Sequence, residues 1–108
     1  MSKFAYLDDL VATIAIRAKG DPATSHVAKL LKKGPKKAAK KVGEEAVEVA
    51  IASAMHDSTE IIYESADLLF HLLVLWQAHG IVPEVVMAEL KRREGTSGIT
   101  EKASRTEE

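Results

Sequence analysis

Cysteine is absent from this chain of 108 residues, which excludes disulfide stapling, zinc–thiolate sites and cysteine nucleophiles. Aromatic residues amount to 5% and there are only three prolines, a poor supply for a β-sandwich. No stretch approaches the ~20 apolar residues needed to span a bilayer: the longest strongly apolar run, residues 68–76, includes His71. The opening MSKFAYLDDL holds two acids and no apolar signal segment, so the expected location is cytoplasmic, without a membrane partner. Two further absences are local. Residues 22–43 contain no acid, and residues 42–90 contain no Lys or Arg.

What is present fits a single globular domain. The apolar fraction of 46% argues against disorder, and a chain of this length can bury one core. The net charge of −1, from 15 basic and 16 acidic residues, hides the segregation. Seven lysines (29, 32, 33, 36, 37, 40 and 41) crowd the acid-free stretch, and nine acids from Glu44 to Glu89 occupy the stretch without Lys or Arg. A basic block followed by an acidic block is the feature that needs a physical reason.

No segment sustains period-2 alternation, so the reading is all-α: an antiparallel bundle of about five helices over residues 1–95, followed by a polar tail, 96–108. Phe4, Leu7, Leu10, Val11 and Ile14 share helical spacing, and Gly20-Asp21-Pro22 stops that helix. Ser25 suits the N-cap of a short second helix ending at Gly34. Pro35 suits the first position of a third, which runs to about Met55 with Ala39, Val42, Ala46, Val49 and Ala50 in period. Asp57-Ser58-Thr59-Glu60 reads as a capping box for a fourth helix closed by Gly80. Pro83 opens a fifth, carrying Val85, Val86, Ala88 and Leu90. The short connection between helices three and four makes them an antiparallel pair.

At 100° per residue, Lys41, Glu44, Glu45 and Glu48 fall within an arc of roughly 100°, and Glu60, Glu64, Asp67 and His71 within about 60°. An acidic stripe on a helix otherwise built of Ile61, Ile62, Leu68, Leu69, Leu72 and Leu73 is not ordinary surface decoration. Two such stripes on paired helices gather carboxylates that repel one another. A hard divalent cation such as Mg²⁺ or Mn²⁺ relieves that repulsion through oxygen ligands and keeps waters for substrate phosphates. The alternative is a solvated acidic groove on a helical binding module.

The pattern Glu45-x-x-Glu48, fifteen intervening residues, then Glu64-x-x-Asp67 resembles the all-α NTP pyrophosphohydrolase (MazG-like) superfamily. Two strings are similar to its phosphoribosyl-ATP pyrophosphohydrolase family: Lys41-Val42-Gly43-Glu44-Glu45-Ala46-Val47-Glu48 and Glu64-Ser65-Ala66-Asp67-Leu68-Leu69-Phe70-His71-Leu72-Leu73. Ser25, Lys29-Leu30-Leu31, Gly34, Lys37 and Leu90-x-x-Arg93 also match, and the resemblance spans roughly residues 7–105. One departure is Ser25-His26-Val27, where the family often has Ser-Tyr-Thr.

The resemblance implies Mg²⁺-dependent hydrolysis of phosphoribosyl-ATP to phosphoribosyl-AMP and pyrophosphate, the second step of histidine biosynthesis, by a homodimer. It implies metal ligation by Glu45, Glu48, Glu64 and Asp67, with Glu44 as a further ligand or as the base, and catalytic work by Glu44, Glu45 and Glu48. Arg17, Ser25, Lys37, Lys41 and Arg93 become the candidates to hold substrate, Lys41 best placed; Lys32, Lys33 and Lys36 read as a solvated face. His71 shares the acidic arc but reads first as a core histidine, while His26, His56 and His79 read as loop or terminal residues. The alternatives are a house-cleaning nucleoside triphosphate pyrophosphohydrolase and a non-enzymatic helical module. A di-iron bundle is disfavoured because paired Glu-x-x-His elements are missing. Nucleic-acid binding is disfavoured because the lysines share a helix with the acidic stripe and lack interleaved aromatics.

Overall fold

Between residues 4 and 95 five helices form from the boundaries the local chemistry dictates. The computed structural model describes residues 4–95 together with Lys102; the expected tail, 96–108, lies outside the described residues apart from Lys102. The order is α1 (Ala5–Arg17), α2 (His26–Leu31), α3 (Lys36–Ala54), α4 (Ser58–Ala78) and α5 (Pro83–Arg92), with no strand among the described residues. Each helix falls within a few residues of its sequence-based expectation, and the all-α reading holds.

The caps explain the boundaries. Ser25 accepts from the Ala28 N–H at 3.2 Å and starts α2. Asp57 accepts from the Glu60 N–H at 3.1 Å and starts α4. The capping box is only half made, because the Asp57 N–H donates to Ala52 O at 3.0 Å instead. That bond, with His56 N–H to Ser53 O at 3.0 Å, closes α3 in a Schellman arrangement. His56 occupies the left-handed position at φ 56° that glycine ordinarily takes. Gly80, at φ 67°, closes α4 the same way, with Ile81 N–H bonded to Trp76 O at 2.9 Å. Pro35 stands at the N-cap of α3, one residue before its expected first helical position, and its carbonyl accepts from Ala39 N–H at 2.9 Å.

The α3–α4 hairpin is the backbone of the fold, and α1 and α2 pack against one end of it. There Ile14, Val27, Leu30, Ala38, Leu73 and Val74 form the buried core, with Leu7, Leu10, Val11, Phe70 and Trp76 packed against it. Because the hairpin turns at residues 55–57, Ala38 joins Leu73 and Val74 in the core, and about two turns further along Glu45 comes level with Asp67, with Glu64 one turn nearer the bend. Ala38, Glu45 and Ala52, seven residues apart, are the buried positions of α3. Of the apolar residues expected in period on α3, Ala39, Ala46 and Ala50 are exposed, while Val42 and Val49 are half-buried.

Phe4, at the start of the α1 stripe, and the whole apolar stripe of α5 lie outside the core. Phe4 is 71% exposed, and α5 buries no residue, with Val85 and Leu90 more than half exposed. On the hairpin, Val47, Ile51, Ile62, Tyr63 and Leu69 are exposed as well. Helix α4 is long and apolar enough, by length and composition alone, to cross a membrane. The shorter apolar run 68–76 does not reveal this, because the helix continues through Ile61, Ile62 and Ala66. In the fold α4 lies along α3 and carries the acidic stripe.

Candidate active site

The antiparallel register brings the two acidic stripes face to face. Carboxylate oxygens of Glu45, Glu64 and Asp67 lie within 4.8 Å of one another, Glu45 buried at 8% exposure, Glu64 half-buried and Asp67 exposed. A hydrogen bond with Glu45 pushes the Glu64 carboxyl up to about 7. Burial and the charges of Glu45, Asp67 and Glu48 push in the same direction. Glu45 moves the opposite way, held below the usual carboxylate range by the Glu64 hydrogen bond and by Lys41. The second Glu64 oxygen, Oε2, is buried without a hydrogen-bond partner among the described residues.

Among the described residues the cluster has one cation ion-paired to it. Lys41 lies one residue outside the stretch that lacks Lys and Arg, and a single helical turn carries its Nζ to 3.2 Å from Glu45 Oε1 and 3.8 Å from Glu44 Oε1. The Glu45 hydrogen bond, then its charge, raises the Lys41 amine above its ordinary value. Glu44 and Glu48 are exposed at the rim. Glu48 stands outside the three-carboxylate group, although its charge acts on Glu64. These donors fit a hard divalent cation: three carboxylates converge, one oxygen is orphaned, and like charge is concentrated where a protein alone compensates it poorly.

His71 belongs beside this cluster. Its Nδ1 lies 2.8 Å from Asp67 O, and the carbonyl partner requires the N–H there. Nε2 is buried without a partner among the described residues, and the residue is 7% exposed. Phe70 meets the His71 ring edge-on at 5.1 Å, and His26 stacks over Phe70 at 6.2 Å. The contact of His26 with α4 is tertiary: no spacing along the chain links residue 26 to residue 70.

The remaining substrate candidates are distributed differently. Ser25 is engaged at both ends, its hydroxyl donating to Arg17 O at 2.8 Å while it caps α2. Arg17 is exposed at the end of α1. Arg93 and Arg92 both bind Glu89, at 2.8 and 2.7 Å, and hold its carboxyl down at about 2. Lys37 lines a cavity of about 1240 Å³ between α2 and α3. Lys32, Lys33 and Lys36, read from sequence as a solvated face, line that cavity too. Spacing gave no signal of it, because the cavity exists only once the chain folds back between the two helices.

A helical hairpin that aims carboxylates from both arms at one point, beside a lysine-lined cleft, defines a helical hydrolase built for phosphate chemistry. The chain belongs to the phosphoribosyl-ATP pyrophosphohydrolase family, whose model matches residues 7–94. A phosphoribosyl-ATP pyrophosphatase of Methylobacterium radiotolerans is 59% identical over 99 residues, covering 92% of each chain. A phosphoribosyl-ATP pyrophosphatase of Allorhizobium ampelinum is 54% identical over 105 residues, 97% of this chain and all of the relative. One from Novosphingobium aromaticivorans is 57% identical over 97 residues, 90% of this chain and 91% of the relative.

Proposed function

We propose that this chain hydrolyses phosphoribosyl-ATP to phosphoribosyl-AMP and pyrophosphate, with Mg²⁺ held by Glu45, Glu64 and Asp67 and joined by Glu48. The observation that carries the reading is the convergence of three carboxylates from two helices within 4.8 Å, in a chain whose relatives bear the name of that enzyme. When bound, Mg²⁺ or Mn²⁺ supplies Lewis acidity toward phosphate oxygens and offsets the carboxylate charge.

The chain's own groups do the rest. Glu44 faces solvent at the lip of the cluster, where it orients the attacking water and takes its proton. Water adds to the α–β phosphoanhydride, the bridging bond breaks, and pyrophosphate leaves. Lys41 exchanges its carboxylate partners for substrate phosphate as the substrate arrives, and Lys37 grips phosphate from the adjoining cleft. Arg17, Ser25 and Arg93 complete the set of substrate-side candidates. The exposed apolar residues of α3 and α4 are covered by a second copy, giving a homodimer. The enzyme works in the cytoplasm, independent of membranes and nucleic acids, in histidine biosynthesis.

The test is pyrophosphate release from phosphoribosyl-ATP by the purified chain, with and without Mg²⁺. Release that requires the metal supports the reading; none in its presence overturns it. Faster turnover of deoxynucleoside triphosphates than of phosphoribosyl-ATP would assign the chain to nucleotide house-cleaning instead.

A further inference from the structure

The lysine cleft between α2 and α3 carries more charge than the grip at Lys37 and Lys41 requires. All seven lysines of the basic block line it, against two acids, Asp21 and Glu44. Asp21 is already used locally, its Oδ1 accepting from the Ala23 N–H at 2.9 Å. Among the described residues only Lys41 of the seven is ion-paired. Gly34, at φ 95°, turns the chain between the helices, so that Lys32 and Lys33 come to line one space with Lys36 and Lys37. Like charges in a concave, low-dielectric wall focus a field that a polyanion enters. Leu30, Pro22 and Ala23 add apolar lining.

Position separates this cleft from the carboxylates. It adjoins them through Lys41 and Glu44, which border both spaces, while Lys32, Lys33 and Lys36 line the cleft only. The substrate assigned above has the same division: a triphosphate at one end and a phosphomonoester on a separate ribose at the other. A carboxylate cluster needs a metal to approach phosphate; a lysine cleft does not.

Resting on the function proposed above, we propose that Lys32, Lys33 and Lys36 bind the ribose phosphomonoester and thereby set selectivity for phosphoribosyl-ATP over nucleoside triphosphates lacking it. The experiment compares kcat/KM for phosphoribosyl-ATP with that for ATP, ATP being scored as a competitive inhibitor if it is not turned over. It uses the full chain with Mg²⁺, in wild type, in Lys33→Gln/Lys36→Gln and in Lys33→Arg/Lys36→Arg.

The expected result is a fall of about tenfold or more in the phosphoribosyl-ATP to ATP ratio for the glutamine pair, as loss of a charged hydrogen bond implies. The fall should lie in KM, and the arginine pair should retain most of the ratio. Equal losses on both substrates, a greater loss on ATP, or no loss would overturn the assignment while leaving the hydrolase reading intact. A wild type inert on phosphoribosyl-ATP would overturn both.

Discussion

Glu45→Gln separates stability from function. Glu45 is buried, pairs with Lys41 at 3.2 Å and shares a hydrogen bond with Glu64. The substitution removes an i,i+4 ion pair worth about 0.3–0.5 kcal/mol. The glutamine carbonyl still accepts from Glu64, and repulsion from Asp67 is relieved. The metal-free protein should therefore change by less than about 1 kcal/mol, a Tm shift within about 8 °C.

Function should respond very differently. Removing a metal-ligating charge costs at least as much as the roughly ten- to hundredfold seen when groups supporting such ligands are removed, and is taken at about a hundredfold. At a Mg²⁺ concentration of about 100 Kd, binding stabilises wild type by about 2.7 kcal/mol; a hundredfold weaker site leaves about 0.4 kcal/mol. Thermal melts with EDTA and with Mg²⁺, beside pyrophosphate release, read all three quantities. A variant that retains activity within a few-fold, or keeps the full Mg²⁺-induced rise in Tm, refutes the assignment of Glu45; one that melts far below wild type in EDTA refutes the stability reasoning.

Three further outcomes follow from the same geometry. The metal-free Glu64 carboxyl lies near 7 against an ordinary 4.5, so its stabilising contribution is present below pH 4.5 and is lost as pH rises to about 7. Because the cation binds the ionised form, the Mg²⁺-induced rise in Tm should be larger at pH 8 than at pH 5.5, and Glu64→Gln should abolish that difference; a wild-type rise independent of pH counts against it. His56→Gly should raise Tm by a few degrees, since the φ of 56° costs a β-carbon-bearing residue about 1 kcal/mol, and a lower Tm would contradict this. Sedimentation should give twice the chain mass of 11.7 kDa, with Ile62→Lys, at a position 65% exposed, shifting the protein toward a single chain; a wild-type mass near 11.7 kDa would sink the dimer.

Some of this was legible along the chain. Helix boundaries were, because caps act within three or four residues: Ser25, Asp57 and Gly80 each sit where local hydrogen bonding requires them. The two acidic arcs were legible because helical periodicity is fixed at 3.6 residues, and a hairpin with a short turn leaves little choice of partner. The departures were all non-local. The apolar residues of α5 have helical spacing, yet only packing decides whether such a stripe is buried.

The sequence by itself determined the all-helical architecture, the antiparallel pairing of α3 and α4, and the carboxylates that belong to one face. Tertiary structure decided which of them converge. Equidistance from a turn at 55–57 brings Glu45 level with Asp67 and Glu48 level with Glu64, yet it is Glu45 that closes on both Glu64 and Asp67 while Glu48 remains at the rim. It also decided that Lys41 crosses into the acidic cluster and that lysines on either side of Gly34 line one cleft. Spacing fixes direction around a helix axis, but distance between side chains is set only when the axes pack.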